Sequence, residues 1–119
     1  MNIPYIDLKS GAKLHGDNES AKQMLDLFMA QLDKSITDIL HSYDEQNLND
    51  MRDKVHSLCG AACYSSTPKL LHILQSLNAH LSSKLQSSAP TNLQDKKLAS
   101  DVSDLRDIHQ QTVLAFKAL

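Results

Sequence analysis

Between residues 52 and 63 the chain places Arg52, His56, Cys59, Gly60 and Cys63 at spacings of three and four. On a helix turning ~100° per residue, the other four lie within about 60° of His56. Two chemistries would use such a face. One is close approach of a partner to the imidazole, over a surface cleared by glycine and small residues. The other is metal ligation by His56, Cys59 and Cys63. Gly60 costs a helix interior about 1 kcal/mol relative to alanine, so something other than helix stability favours it there. Plainer accounts also exist. His56 can be a boundary histidine packed on its own fold. Gly60 can admit a neighbouring helix, and Cys63 can be a small buried apolar residue. Gly60 shares its face with His56 and not with Leu58, which favours the open-face account.

Other chemistry finds little support. A closed zinc site needs four ligands. His15, His41, His72, His80 and His109 are scattered without paired spacing. No glycine-rich phosphate loop is present. Neither cysteine has a sequence feature supplying a positioned base and oxyanion donors. Asp101 and Asp104 are expected on a solvated helix face, as surface charges and not as an acid–base pair. No run of Lys and Arg forms a basic stripe, which argues against nucleic acid. No apolar run approaches the ~20 residues of a membrane span, so no direct membrane contact is expected. Two cysteines four apart suit a reducing, cytoplasmic setting better than a disulfide.

The elements that must hold this face are helical. The chain has 119 residues, enough for one compact domain over 1–119. Three glycines and three prolines are too few for the turns of an all-β fold. Asp7 is a good N-cap for a short helix from Leu8, and Gly16-Asp17-Asn18 offers a break and a new cap. Leu25, Phe28, Leu32, Ile36, Ile39 and Tyr43 form one stripe on a helix over about 19–43. Asp44-Glu45-Gln46-Asn47 closes it. Leu48, Met51, Val55, Leu58 and Ala62 are the core face of a helix over about 48–64, so His56 sits beside that core stripe and not in it. Thr67 followed by Pro68 starts another helix, with Leu70, Leu74, Leu77 and Leu81 as its stripe. Gln86-Ser87-Ser88-Ala89-Pro90 reads as a loop. Thr91 or Asn92 then caps a last helix carrying Leu98, Val102, Leu105, Ile108, Val113 and Phe116. Short connections favour antiparallel neighbours. The expected fold is all-α, an antiparallel up-and-down four-helix bundle with a short N-terminal helix.

The stretch His56-Ser57-Leu58-Cys59-Gly60-Ala61-Ala62-Cys63-Tyr64-Ser65 resembles the signature of histidine phosphotransfer (HPt) domains. That signature has a histidine, an apolar residue two later, often a lysine three later, a glycine four later, and then small residues. Ile6-Asp7-Leu8 and Met24-Leu25-Asp26-Leu27-Phe28 resemble the family's N-terminal half. Tyr64, Pro68 and Lys69 resemble most the HPt domain that ends hybrid sensor kinases of the BarA/GacS type, and Arg52, Cys59, Gly60, Cys63, Lys69 and Asn78 are the residues expected to support a phosphohistidine at His56. The resemblance implies a phosphorelay intermediate. His56 Nε2 accepts a phosphoryl group from a receiver-domain aspartate and passes it to a response-regulator aspartate. It implies a phosphocarrier and not an enzyme, with no cofactor of its own, because the receiver brings Mg²⁺ and an acidic pocket. Receiver domains are the expected partners, of a monomeric and cytoplasmic domain or of the C-terminal part of an inner-membrane sensor kinase.

Two positions depart from the family pattern. Cys59 stands where lysine is frequent, and Arg52, one turn earlier, is the candidate substitute for its charge. Asn78 stands where the next helix often has Gln or Glu. Its amide would accept from His56 Nδ1–H and set the tautomer. Gly60 and its small neighbours would let a receiver lie flat, and Met24 or Leu27 would supply an apolar docking patch. A binding-only helical module that docks receivers without carrying phosphate is the main alternative, and a metal-binding or redox-sensing bundle is a third.

Overall fold

The computed structural model describes residues 3–86 and 96–119, and all regular structure among them is helical. Helix α1 spans Leu8–His15, α2 Asn18–Asp44, α3 Leu48–Ala62, α4 Pro68–Gln86 and α5 Lys96–Lys117. The expected caps at Thr91 or Asn92, and most of the loop before them, lie outside the described residues.

Side-chain caps set three of the starts. Asp7, Asp17 and Asn47 each accept from the backbone N–H three residues on, at 3.1, 2.6 and 3.2 Å. These bonds satisfy amides that the first turn leaves without partners. Gly16 ends α1 with φ +97°, a backbone state that costs other residues a Cβ clash. Gln46 takes φ +61° in the turn between α2 and α3 without that freedom. At the start of α4 the Thr67 carbonyl accepts from Leu71 at 3.0 Å. Its hydroxyl meets Ser65 Oγ at 2.7 Å, inside the turn.

The stripes converge on one core. Leu32, Ile36 and Ile39 of α2 pack with Leu48, Met51, Val55, Leu58 and Ala62 of α3. Leu70, Leu74, Leu77 and Leu81 of α4 and Leu98, Val102 and Leu105 of α5 complete it. Phe28 and Tyr43 are half-buried at its edge. Consecutive helices α2, α3, α4 and α5 pack side by side, and α1 lies on α2. His109 Nε2–H of α5 donates to the Asp33 carboxylate of α2 at 2.7 Å. The Lys22 ammonium lies 5.0 Å above the Phe116 ring centre.

Two expectations are corrected. Asp101 is not on a solvated face. It is only 7 % exposed and accepts from Ser76 Oγ at 3.3 Å and Lys97 Nζ at 3.5 Å, while Asp104 is exposed. Partners from α4 and its own helix make that burial tolerable. Toward the end of α5, Val113 and Phe116 are only half-buried, whereas Thr112 is fully buried. Its hydroxyl donates to the Ile108 carbonyl at 2.7 Å, so no polar group is stranded.

Candidate functional site

Helix α3 has its apolar side in the core and the opposite side outward. Leu48, Met51, Val55, Leu58 and Ala62 are buried, and His56, Ser57, Gly60 and Ala61 are exposed. Periodicity therefore delivers His56 to the surface on a rigid element. Among the described residues the imidazole has no hydrogen-bond or ion-pair partner. It is an exposed imidazole held on a packed helix.

Gly60 decides between its two accounts. A Cβ built there meets nothing within 4 Å, so no neighbouring helix uses the gap. The space is open to solvent one turn from His56. Gly11 is the opposite case. A Cβ there would collide with Ser66 Oγ and come within 3.2 Å of Ala21 Cβ. The chain's close helix packing through glycine is thus at α1, not at α3.

A groove of about 280 Å³ opens beside His56 between α3 and α4, lined also by Arg52, Asp53, Asn78, Ser82 and Gln86. The fold therefore brings Arg52 and Asn78 to the histidine. Asn78 is half-buried, but no hydrogen bond joins it to the ring. Lys69 is not in this groove. It lies in the first turn of α4, nine residues and about 13 Å of helix from Asn78. Its ammonium sits 4.6 Å above the Tyr5 ring centre, a cation–π contact that ties the N-terminal segment to α4.

The cysteines divide. Cys63 is exposed, which removes the account of it as a buried apolar residue. Cys59 is the one that packs on the core edge. Its thiol is pushed above the ordinary range, first by burial and then by Cys63 beside it, so it carries no charge toward His56 at neutral pH. Both thiols are free. Among the described residues no three His, Cys, Asp or Glu side chains come together as metal ligands.

On the other flank of His56 lies a larger groove of about 410 Å³ between α2 and α3. Met24, Leu27 and Phe28 meet Ser57, Ala61 and Tyr64 across it. Leu27 is 64 % exposed and Tyr64 54 %, unusually open for such large side chains in one place.

Polar contacts outside the sequence motifs hold the ends of α3. At its start, the buried Ser42 hydroxyl donates to Asp50 at 2.5 Å and accepts from Lys54 at 3.0 Å. Asp50 and Lys54 are themselves paired at 2.8 Å. Their spacing of four on one helix was the available signal. At its end, His15 Nε2–H donates to the Tyr64 carbonyl at 2.7 Å, a contact 49 residues apart that no local pattern announces.

An all-helical fold that carries the unpartnered His56 on an open helix face is the setting for the comparisons with known proteins. The family model described as Hpt domain matches residues 23–111, from within α2 to within α5, and leaves α1 outside. The chain belongs to the Hpt domain family. Domains of this family serve as phosphocarriers in histidine phosphotransfer relays and interact with receiver domains. Comparison with curated proteins and with solved structures returned no significant match. No helix among the described residues is long and apolar enough to cross a membrane.

Proposed function

We propose that His56 is the phosphorylated residue of a phosphorelay intermediate. The observation that carries this is the exposed imidazole without a partner on rigid α3, with open space one turn away at Gly60. The Nε2 lone pair attacks phosphorus of an aspartyl phosphate. The P–O bond to the aspartate breaks, and the carboxylate leaves with its electron pair. The proton on Nδ1 stays on the ring. Return to a second aspartate reverses these steps. Phosphoryl transfer of this kind depends on positioning and charge stabilisation more than on covalent chemistry by the protein. The Mg²⁺ and the acidic pocket come from the receiver.

The α2–α3 groove is the proposed docking surface. Met24, Leu27 and Tyr64 offer apolar area beside the nucleophile, and Gly60 lets a receiver lie close. A relay contact has to release quickly, which suits a small patch. The scaffold is read as an antiparallel up-and-down bundle of α2 to α5. Its support is that Asp33 meets His109 while Lys22, earlier in α2, meets Phe116, later in α5. The likeness of Tyr64, Pro68 and Lys69 to the BarA/GacS type supports reading the domain as part of a hybrid sensor kinase. Its compartment is then the cytoplasm, where free thiols persist. The domain acts as a monomer.

The test is phosphotransfer from a panel of phosphorylated receivers, read as acid-labile, alkali-stable label on this chain. His56→Gln should abolish the label and leave the helical circular dichroism unchanged. Label that persists in the variant would place the site elsewhere. Receiver binding without any label would favour the binding-only module, for which the missing Asn78–His56 hydrogen bond is the specific support. Leu27→Lys should weaken receiver docking without lowering stability, because the side chain is largely exposed.

A further inference from the structure

We infer that Arg52 is the cation that holds the phosphoryl group on His56, a role that rests on the His56 proposal above. The α3–α4 groove contains both residues, and among the described residues lining it Arg52 is the one cation. A phosphoryl group on Nε2 brings about two negative charges into a groove that already holds the Asp53 carboxylate. Without Arg52 the one formal charge beside it among the lining residues would be the like charge of Asp53. Cys59 supplies none, since its thiol stays neutral at the core edge.

Helix geometry brings residue 52 within reach of this contact. Side chains on a helix lean toward its N-terminus, so the His56 ring covers the turn that precedes it. Arg52 occupies that turn, with its Cβ about 5–6 Å from that of His56. The guanidinium is also available. Its partner is Asp53, the next residue, at 3.4 Å and largely exposed, a pair of the weakest kind. A phosphoryl group can take two parallel N–H bonds from arginine, which that single contact does not match.

Phosphoramidate is a donor that needs no receiver. The Nε2 lone pair attacks its phosphorus, the P–N bond breaks, and ammonia leaves. Labelling of the full chain is followed for wild type, Arg52→Gln, Arg52→Lys and His56→Gln, with circular dichroism on each. Arg52→Gln should slow labelling by about tenfold or more, the scale of one hydrogen bond to a charged group lost from the transition state. Arg52→Lys should recover part of the rate, because it keeps the charge and loses the two-pronged contact. The ³¹P resonance of the phosphohistidine should titrate at lower pH in wild type than in Arg52→Gln, because a cation favours the dianion. A merely structural role would not move that titration. Equal rates and equal titrations in wild type and Arg52→Gln would overturn the inference and leave His56 in place. Arg52→Lys as slow as Arg52→Gln would overturn it too. An unlabelled wild type, or label that survives in His56→Gln, would overturn the His56 proposal and this inference with it.

Discussion

Gly60→Ala should raise stability and lower transfer at once. The residue is helical, and a Cβ there meets nothing within 4 Å, so no packing cost opposes the gain. The gain is the helix-propensity difference, about 0.8–1.0 kcal/mol. Unfolding entropy of about 2.1 cal/mol/K per residue over 119 residues gives roughly 250 cal/mol/K. One kilocalorie then lifts the midpoint by about 4 °C. The same methyl stands on the face where a receiver must lie flat. Forcing one extra methyl into a close contact costs about 1 kcal/mol or more, so kcat/KM for transfer should fall about fivefold or more. Gly11→Ala is the control of opposite sign. Its Cβ collides with Ser66 Oγ and crowds Ala21, so overpacking of about 1–3 kcal/mol should exceed the propensity gain. Thermal unfolding by circular dichroism and receiver-to-domain transfer kinetics read both. A lower midpoint for Gly60→Ala would refute the open space. A higher midpoint with unchanged transfer would refute close approach as the reason for the glycine.

Three further outcomes are expected. Leu74→Ala, in a fully buried side chain of α4, should cost about 2–5 kcal/mol in urea unfolding, and a loss under 1 kcal/mol would contradict its place at the centre of the core. The Asp50 carboxyl is held below the ordinary range, first by the hydrogen bond from Lys54 and then by that from Ser42. Its contribution to stability is therefore present above the unfolded value of about 3.9 and is lost as pH falls through the lower folded value. Asp50→Asn should flatten that acid limb in a series of urea midpoints from pH 2 to 7, and an unchanged limb would show that other carboxylates set it. Alkylation with iodoacetamide at pH 8 should modify exposed Cys63 before Cys59, whose thiol is half-buried and pushed up, and peptide mapping that finds Cys59 first would reverse the assignment.

The periodicity of Leu, Ile, Val and Met determined the helices α2, α3 and α4 and most of the core, because a 3.6-residue repeat can bury only one side. Caps such as Asp7, Asp17 and Asn47 were equally legible, since each bond spans three residues. So was the place of His56 beside the core stripe of α3. The family signature around it is likewise local and readable in a line of ten residues. What lies between helices was not legible. Asp101 falls on the stripe of Leu98 and Leu105, but the Ser76 hydroxyl that meets it there comes from α4, which no local pattern shows. That Gly60 faces solvent while Gly11 faces Ser66 depends on which helix passes nearby. The joining of Arg52 with Asn78 in one groove, the distance of Lys69 from it, and the tie of His15 to Tyr64 are likewise contacts across elements. A sequence sets which faces a helix offers. Tertiary packing decides which of them another helix covers, and the uncovered face around His56 is where the function is proposed to lie.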